Sequence, residues 1–235
     1  MEIEGIRRLR LSRPERGNAL DMVSVSALSE GIAEAVADPG VRLLVLTGEG
    51  RNFCTGFDLD GLEAQSDGDL LLRFVRIEQM LQAIRHAPVP CVALAQGRVF
   101  GAGADLFAAC AWRIATPEAR FAFPGARFGL VLGTARLAAL VGAQAALDAT
   151  SRGQILPAAR ALELGLATEL AEPAGWDAAV AGILAEVSAT PRATLAALWS
   201  AALPDTRDAD LAALVRSAAS PGLGARIAAY RAASR

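Results

Sequence analysis

Two stretches decide how this chain reads. One is Leu43-Leu-Val-Leu-Thr-Gly48, running on into Asn52-Phe-Cys-Thr-Gly-Phe-Asp-Leu59; the other is Val92-Ala-Leu-Ala-Gln-Gly97, running on into Arg98-Val-Phe-Gly-Ala-Gly-Ala-Asp-Leu106. Each joins an apolar, strand-like run to a glycine-bearing turn, and a helix start is expected after the turn. Such a join leaves backbone N–H groups without partners in their own element, and these attract negative charge. Two turns of this kind could hold one oxyanion from both sides, the arrangement that acyl-group chemistry requires. The alternative is that Gly56 and Gly101 do no more than permit tight turns.

Working outward, Val41 to Thr47 and Cys91 to Ala95 read as buried strands of a parallel-type sheet. Ile6 to Ser12 alternates apolar and polar residues, as a half-exposed strand does. Asp21 is placed to cap a helix that continues to about Ala37, with Val23, Leu28, Ile32 and Val36 on one face, and Asp38-Pro-Gly40 stops it. A long helix is expected from Asp67 to His86, apolar at Leu71, Phe74, Val75, Ile77, Leu81 and Ile84, with Pro88 and Pro90 behind it. A short helix follows over Ala102 to Ala111, then short strands at Trp112 to Thr116 and Arg120 to Phe123. From Gly133 onward the pattern is helical, at about 134–149, 157–164, 176–189, 191–203, 206–218 and 221–233. Strands alternating with helices, then a helical tail, predict an α/β fold: a parallel sheet wrapped by helices. No linker and no second domain with its own strands is visible.

Composition narrows the chemistry. The 235 residues suffice for one large α/β domain, or a domain with a helical tail. Hydrophobic residues make up 53%, much of it alanine, and aromatics only 5%, which favours packed helices over an all-β sandwich. A net charge of −2 gives no electrostatic case for nucleic acid or an anionic membrane. All 23 basic residues are arginine, so a Schiff-base lysine, a P-loop lysine and a Ser–Lys dyad are excluded. Cys54, Cys91, Cys110 and the single histidine, His86, have no zinc-ligand spacing, so no metal is expected. Scattered thiols, no basic-then-apolar leader and no uncharged run of membrane length predict a cytoplasmic protein.

Four stretches, in order, resemble the crotonase family, the enoyl-CoA hydratase/isomerase superfamily. They are Leu11-Ser-Arg-Pro-Glu-Arg-Gly-Asn-Ala-Leu20, Leu46 to Leu59, Gln96 to Leu106, and Gly222-Leu-Gly-Ala-Arg-Ile-Ala-Ala-Tyr-Arg231. The resemblance implies a spiral of stacked ββα units over residues 1–190, carrying the CoA-thioester site. It also implies a C-terminal helical trimerisation region, 191–235, within the same unit, and a homotrimer or hexamer. Phe57 N–H and Ala102 N–H would point at the thioester carbonyl of an acyl-CoA, with Gly56, Asp58, Leu59 and Gly101 around them. The turn with Arg16, Asn18 and Ala19 would line the adenine and phosphates, Arg16 standing where the family carries a basic residue. Coenzyme A would arrive as part of the substrate, and no other cofactor is implied.

The acid/base residues depart from the family pattern. Hydratases of the family bring two glutamates to a water near the β-carbon, one to activate the water and one to deliver the proton. At the first position stands Asp105; at the second, in Arg120-Phe-Ala-Phe-Pro-Gly-Ala126, the match is Gly125. The next segment, Phe128 to Leu137, is short and places Gly133 or Thr134 where some isomerases carry an acid. One base suffices for proton abstraction beside a thioester carbonyl, so double-bond migration or an atypical hydration is the expected reaction. Asp105 could instead brace its turn, leaving an acyl-CoA-binding pseudoenzyme; hydrolysis or decarboxylation of the thioester is a further alternative. Gly125 also resembles the naphthoate-synthase-like members, which borrow bicarbonate as the base.

The remaining candidates read as structural. Asp58 is expected to fix its loop, Cys54 to pack, and His86 to cap a helix end. Glu63 and Asp67 fall on a loop that could close over substrate. Gly101-Ala-Gly103 lacks the third glycine and the downstream acid of a dinucleotide-binding turn.

Overall fold

The computed structural model describes residues 3–233. In chain order the elements are β1 (Ile6–Leu11), α1 (Met22–Ala37), β2 (Leu43–Gly48), α2 (Asp67–Arg85), β3 (Cys91–Ala95), β4 (Arg98–Phe100), α3 (Ala102–Ala109), β5 (Trp112–Ala115) and β6 (Arg120–Ala122). There follow α4 (Thr134–Val141), α5 (Ala143–Thr150), β7 (Leu156–Pro157), α6 (Ala158–Glu163), β8 (Glu169–Leu170), α7 (Trp176–Ser188), α8 (Arg192–Ala202), α9 (Arg207–Ala218) and α10 (Leu223–Ala233).

The main sheet has the order β1-β2-β3-β5-β8, and every neighbouring pair is parallel. The side chains of β2 and β3 alternate between two cores, as period-two geometry demands. Leu44, Leu46, Ala93 and Ala95 face Leu28 and Ile32 of α1 and Ile77 and Leu81 of α2. Leu43, Val45, Val92 and Leu94 face Val180 of α7. Burial on both faces explains the continuous apolar runs in the sequence.

A second, smaller layer has the order β4-β6-β7. Single bridges, Cys54 to Val99 and Leu20 to Phe57, continue the same pairing direction outward. After β2, β3 and β5 the chain therefore drops into this second layer before it turns into a helix or turn. Successive units of this kind stack, so both glycine-bearing turns lie side by side within that layer.

The structure corrects several sequence expectations. On α1, Val23 is 76% exposed, and the buried face is Val25, Leu28, Ile32 and Ala35. Asp21 sets that phase by accepting the Ser24 N–H at 2.8 Å. The expected helix over 134–149 is two helices, broken at Gly142, whose φ of 81° and ψ of 155° cannot continue a helix. On α2, Leu71 and Val75 are only half-buried, whereas Arg73 and Glu78 are buried. The strands β4, β7 and β8 are too short to display alternation, and the sequence reading missed them. Asp67 is not on a closing loop. It begins α2 and accepts the N–H groups of Gly222, Leu223 and Gly224 at 3.0, 3.1 and 2.8 Å, fixing the start of α10. Among the described residues, no helix is long and apolar enough to cross a membrane.

Candidate active site

The two glycine turns touch. A Cβ on Gly56 would lie 2.8 Å from the Phe100 carbonyl oxygen and 3.3 Å from the Ala102 nitrogen, and the φ of Gly56 is +98°. Only glycine permits that approach and that backbone. Around it, Thr55 N–H donates to Gly17 O at 3.0 Å and Asp58 N–H to Leu20 O at 3.1 Å. Between them, Phe57 N–H donates to no acceptor among the described residues. Its peptide is nonetheless fixed from the other end, because Gly56 O accepts the Leu20 N–H at 2.7 Å.

The second turn repeats the device. Gly101 takes φ 53° and ψ −129°, a region reserved for glycine, and its N–H donates to Ala122 O at 2.8 Å. Gly101 O accepts from Ala104 at 2.8 Å and Asp105 at 3.0 Å as α3 begins, while Ala102 N–H donates to no acceptor among the described residues. Two peptides are thus locked by their carbonyls, with their N–H groups left over. A carbonyl that accepts a hydrogen bond makes its own N–H a better donor.

These turns form one wall of a cavity of about 310 Å³. Phe74, Phe123, Phe128, Leu130, Leu132 and Tyr230 supply apolar walls, and Asp105 is its one carboxylate among the described residues. Asp105 is 4% exposed, and burial pushes its carboxyl up to about 8; Arg136 opposes that shift and Glu78 adds to it. Arg136 and Glu78 form a buried two-pronged pair at 2.7 and 3.3 Å, and Asp210 lies 3.8 Å from the same guanidinium. A Cβ on Gly133 would meet Asp105 Oδ1, so the residue before α4 is glycine because the carboxyl occupies that space. Gly125 also lines the cavity, and a Cβ there would meet only ordinary contacts at 3.5 and 3.8 Å, both with Leu130.

Of the residues singled out by sequence, Phe57, Leu59, Gly101, Ala102, Asp105 and Gly125 border this cavity. Gly56 underpins it. Asp58 is 5% exposed, accepts from Arg13 at 2.9 Å and from Asp60 N–H at 3.0 Å, and so braces the loop. Arg16, Asn18 and Ala19 lie outside the cavity, in the adjoining turn. Asn18 is spent internally: its Oδ1 accepts Arg13 N–H at 2.9 Å, and its Nδ2 donates to Glu49 O and Asn52 O at 2.9 and 2.8 Å. Arg16 pairs with Asp60 and approaches Asp58 at 3.8 Å, and Asp60 and Glu63 also pair with Arg231 of α10.

Two features escaped the sequence reading. Tyr230, the single tyrosine, reaches the cavity from α10, its ring 5.1 Å from Phe128. Arg73 and Glu78 sit on the apolar face of α2 with Leu70, Phe74, Ile77 and Leu81, and a charge at that helical spacing was the signal available. Cys54 and His86 lie outside the cavity lining. Burial pushes the Cys54 thiol up to about 12, and His86 forms the C-terminal cap of α2. Among the described residues, no cluster of three metal-ligating side chains occurs. A cavity of equal size, about 310 Å³, lies between α2 and α8 beside Trp199, but neither free amide borders it.

Comparisons with known proteins bear on the family and the fold. The enoyl-CoA hydratase/isomerase family model matches residues 2–217. A probable enoyl-CoA hydratase of Mycobacterium leprae is 33% identical over 191 residues, covering 77% of this chain and 75% of that protein. Among solved structures, a putative enoyl-CoA hydratase/isomerase of Bordetella parapertussis is 47% identical with a TM-score of 0.96, covering 99% of this chain and 97% of that one. An enoyl-CoA hydratase of Bacillus halodurans, at 22% identity and a TM-score of 0.86, shares the fold.

Proposed function

This chain belongs to the enoyl-CoA hydratase/isomerase family, the crotonase superfamily, and we propose that it processes acyl-CoA thioesters by proton transfer through a single carboxylate. The observation that carries this reading is the convergence of two unpartnered N–H groups, Phe57 and Ala102, on a cavity with Asp105 as its one acid among the described residues. The thioester oxygen would sit between the two amides. The Asp105 carboxylate takes a proton from the carbon beside the thioester carbonyl; the C–H electron pair moves into the C–C bond and the carbonyl pair onto oxygen. Each amide then holds the enolate, a donor of this kind contributing roughly 2.7–4 kcal/mol to the transition state. Where the acyl chain carries a β,γ double bond, returning the proton to the γ-carbon lets the oxygen pair re-form the carbonyl and leaves the double bond between the α- and β-carbons.

A carboxyl held near 8 exchanges protons readily in both directions around neutral to mildly alkaline pH. Ordinary hydration needs a second carboxylate, and Gly125 offers none, so isomerisation or an atypical hydration fits better. CoA enters with the substrate, and no further cofactor is proposed. One observation favours a second reading, an acyl-CoA-binding pseudoenzyme: burial keeps most Asp105 carboxyls protonated at neutral pH. Deuterium exchange at the α-carbon of butyryl-CoA separates the two. Exchange that is lost in Asp105→Asn supports the proton-transfer reading. Binding without exchange at any pH up to 9 supports the pseudoenzyme, and release of free CoA thiol would point to hydrolysis.

A further inference from the structure

The guanidinium of Arg73 occupies an unusual position. Arg73 is 8% exposed, and burial pulls its pKa down against the opposing fields of Asp58 and Asp21. Burying a charge is costly unless it is well partnered. Yet among the described residues no carboxylate pairs with it. Its Nη2 donates to Asp58 O at 2.8 Å, its Nη1 to Gln65 Oε1 at 3.0 Å, and its Cζ lies over the Phe57 ring, 4.0 Å from the centroid. Phe74, the next residue on α2, stacks against the same Phe57 ring at 4.2 Å and 17°. The Phe57 ring is therefore gripped by both a cation and an aromatic ring, and the carbonyl one residue along is gripped by the same cation.

A hydrophobic residue at this site would avoid the cost of the buried charge. What the arginine adds is restraint on residues 57 and 58 from the α2 side. The Leu20 N–H to Gly56 O bond restrains the same turn from the α1 side. We propose that Arg73 is a positioning residue for the Phe57 amide: it locks the first glycine turn so that this N–H stays aimed into the acyl cavity. The inference rests on the reading of that amide as an oxyanion donor. Its physical basis is that an oxyanion donor is effective only when fixed before charge develops. Arg73 touches no reacting atom, so its influence passes through Phe57 and Asp58.

The test reads the donor directly. Butyryl-CoA, labelled with heavy carbon at the thioester carbonyl, is bound to the full-length protein and its carbonyl stretch is followed by difference infrared spectroscopy. The wild type is expected to lower the stretching frequency relative to free thioester, and Arg73→Met is expected to restore most of the free value. Arg73→Met should also slow α-carbon exchange by roughly tenfold or more at saturating butyryl-CoA, with less than about a threefold change in KM. Arg73→Lys, which keeps the charge but not the planar fork, should recover only part of the shift. A merely structural arginine would lower thermal stability and leave the frequency shift of the folded fraction intact, and that result overturns the proposal. If Arg73→Met does not fold, Phe57→Leu takes its place: it keeps the backbone N–H but removes the ring under the guanidinium. An unchanged carbonyl shift in Phe57→Leu again overturns the proposal. A wild type that fails to bind butyryl-CoA, or binds it without any carbonyl shift, instead removes the oxyanion reading itself.

Discussion

At the scale of single residues, Asp105 and Gly125 set what the cavity can do. Asp105 is an acid whose folded pKa is raised, from an ordinary 3.8 to about 8, chiefly by burial. Between those values the folded protein binds more protons than the unfolded chain, so this group's contribution to stability falls as pH rises from 3.8 to about 8 and is level beyond. Asp105→Asn should therefore stabilise the protein at pH 8, by on the order of a few kcal/mol, and much less at pH 4; thermal melts at both pH values check the sign. Its catalytic effect runs the opposite way. Proton abstraction needs the ionised carboxylate, so wild-type α-carbon exchange should climb with pH and level off above about 8. A rate that is flat from pH 6 to 9 would separate exchange from this carboxyl. Gly125 offers a complementary gain-of-function test. Its Cβ direction is open, with only ordinary contacts at 3.5 and 3.8 Å to Leu130, and its backbone is not in the left-handed region. Gly125→Glu should fold and should raise hydration of crotonyl-CoA above the wild-type rate, by on the order of a general-acid contribution of 10² or more. A folded Gly125→Glu protein with no added hydration would mean that the second carboxylate is not what the wild type lacks.

At the scale of elements, α2 connects the two halves of the site. Arg73 reaches the first glycine turn from one stretch of the helix, and Glu78, about one turn further on, binds Arg136 of α4 behind Asp105. That pair is almost fully buried, with side-chain exposures of 1% for Glu78 and 3% for Arg136. Removing one partner leaves a buried charge, so Glu78→Gln is expected to cost roughly 3–5 kcal/mol in denaturant unfolding. The Glu78 charge also helps hold the Asp105 carboxyl up, while Arg136 pulls it down. The pH profile of exchange in Glu78→Gln should therefore shift to lower pH. A profile that stays in place, even with the stability loss, would show that the pair braces α2 against α4 without tuning the acid. Elements also explain what the sequence revealed and what it hid. The long apolar run Leu43 to Leu46 and the capped helix after Asp21 were legible because both faces of a strand, or one face of a helix, must be buried. The two-residue strands β7 and β8 were not, because their pairing is imposed by neighbours and not by their own pattern. Gly142 broke a helix that hydrophobic spacing alone carried through.

At the scale of the whole molecule, the site is a product of stacking. The residues that meet at the cavity come from positions 57, 102, 125 and 230, and only the repeated return of the chain to the second layer brings the first three together. Sequence motifs identified both turns and Asp105, because each is local. Of Arg73 and Glu78 the sequence showed only charges on an apolar helix face; their partners, like the reach of Tyr230 into the cavity, are set by other segments of the chain. The expected homotrimer or hexamer is a property of the same scale. Large apolar side chains stand out around α5 in a single chain: Val131 is 43% exposed, Leu147 52% and Ile155 58%, and the first two sit on the rim of the cavity. A surface substitution in an isolated chain changes stability by no more than about 0.5 kcal/mol, so a charge at Ile155, which does not border the cavity, would be nearly silent in a monomer. In an assembly that buries this face it would not be. Sedimentation of the wild type should give three or six times the mass of one chain, and Ile155→Glu should lower that mass while weakening butyryl-CoA binding at a distance from the cavity. A wild type that sediments as a single chain, or an Ile155→Glu protein that assembles and binds as the wild type does, would place the assembly elsewhere or remove it, leaving the cavity complete within one chain.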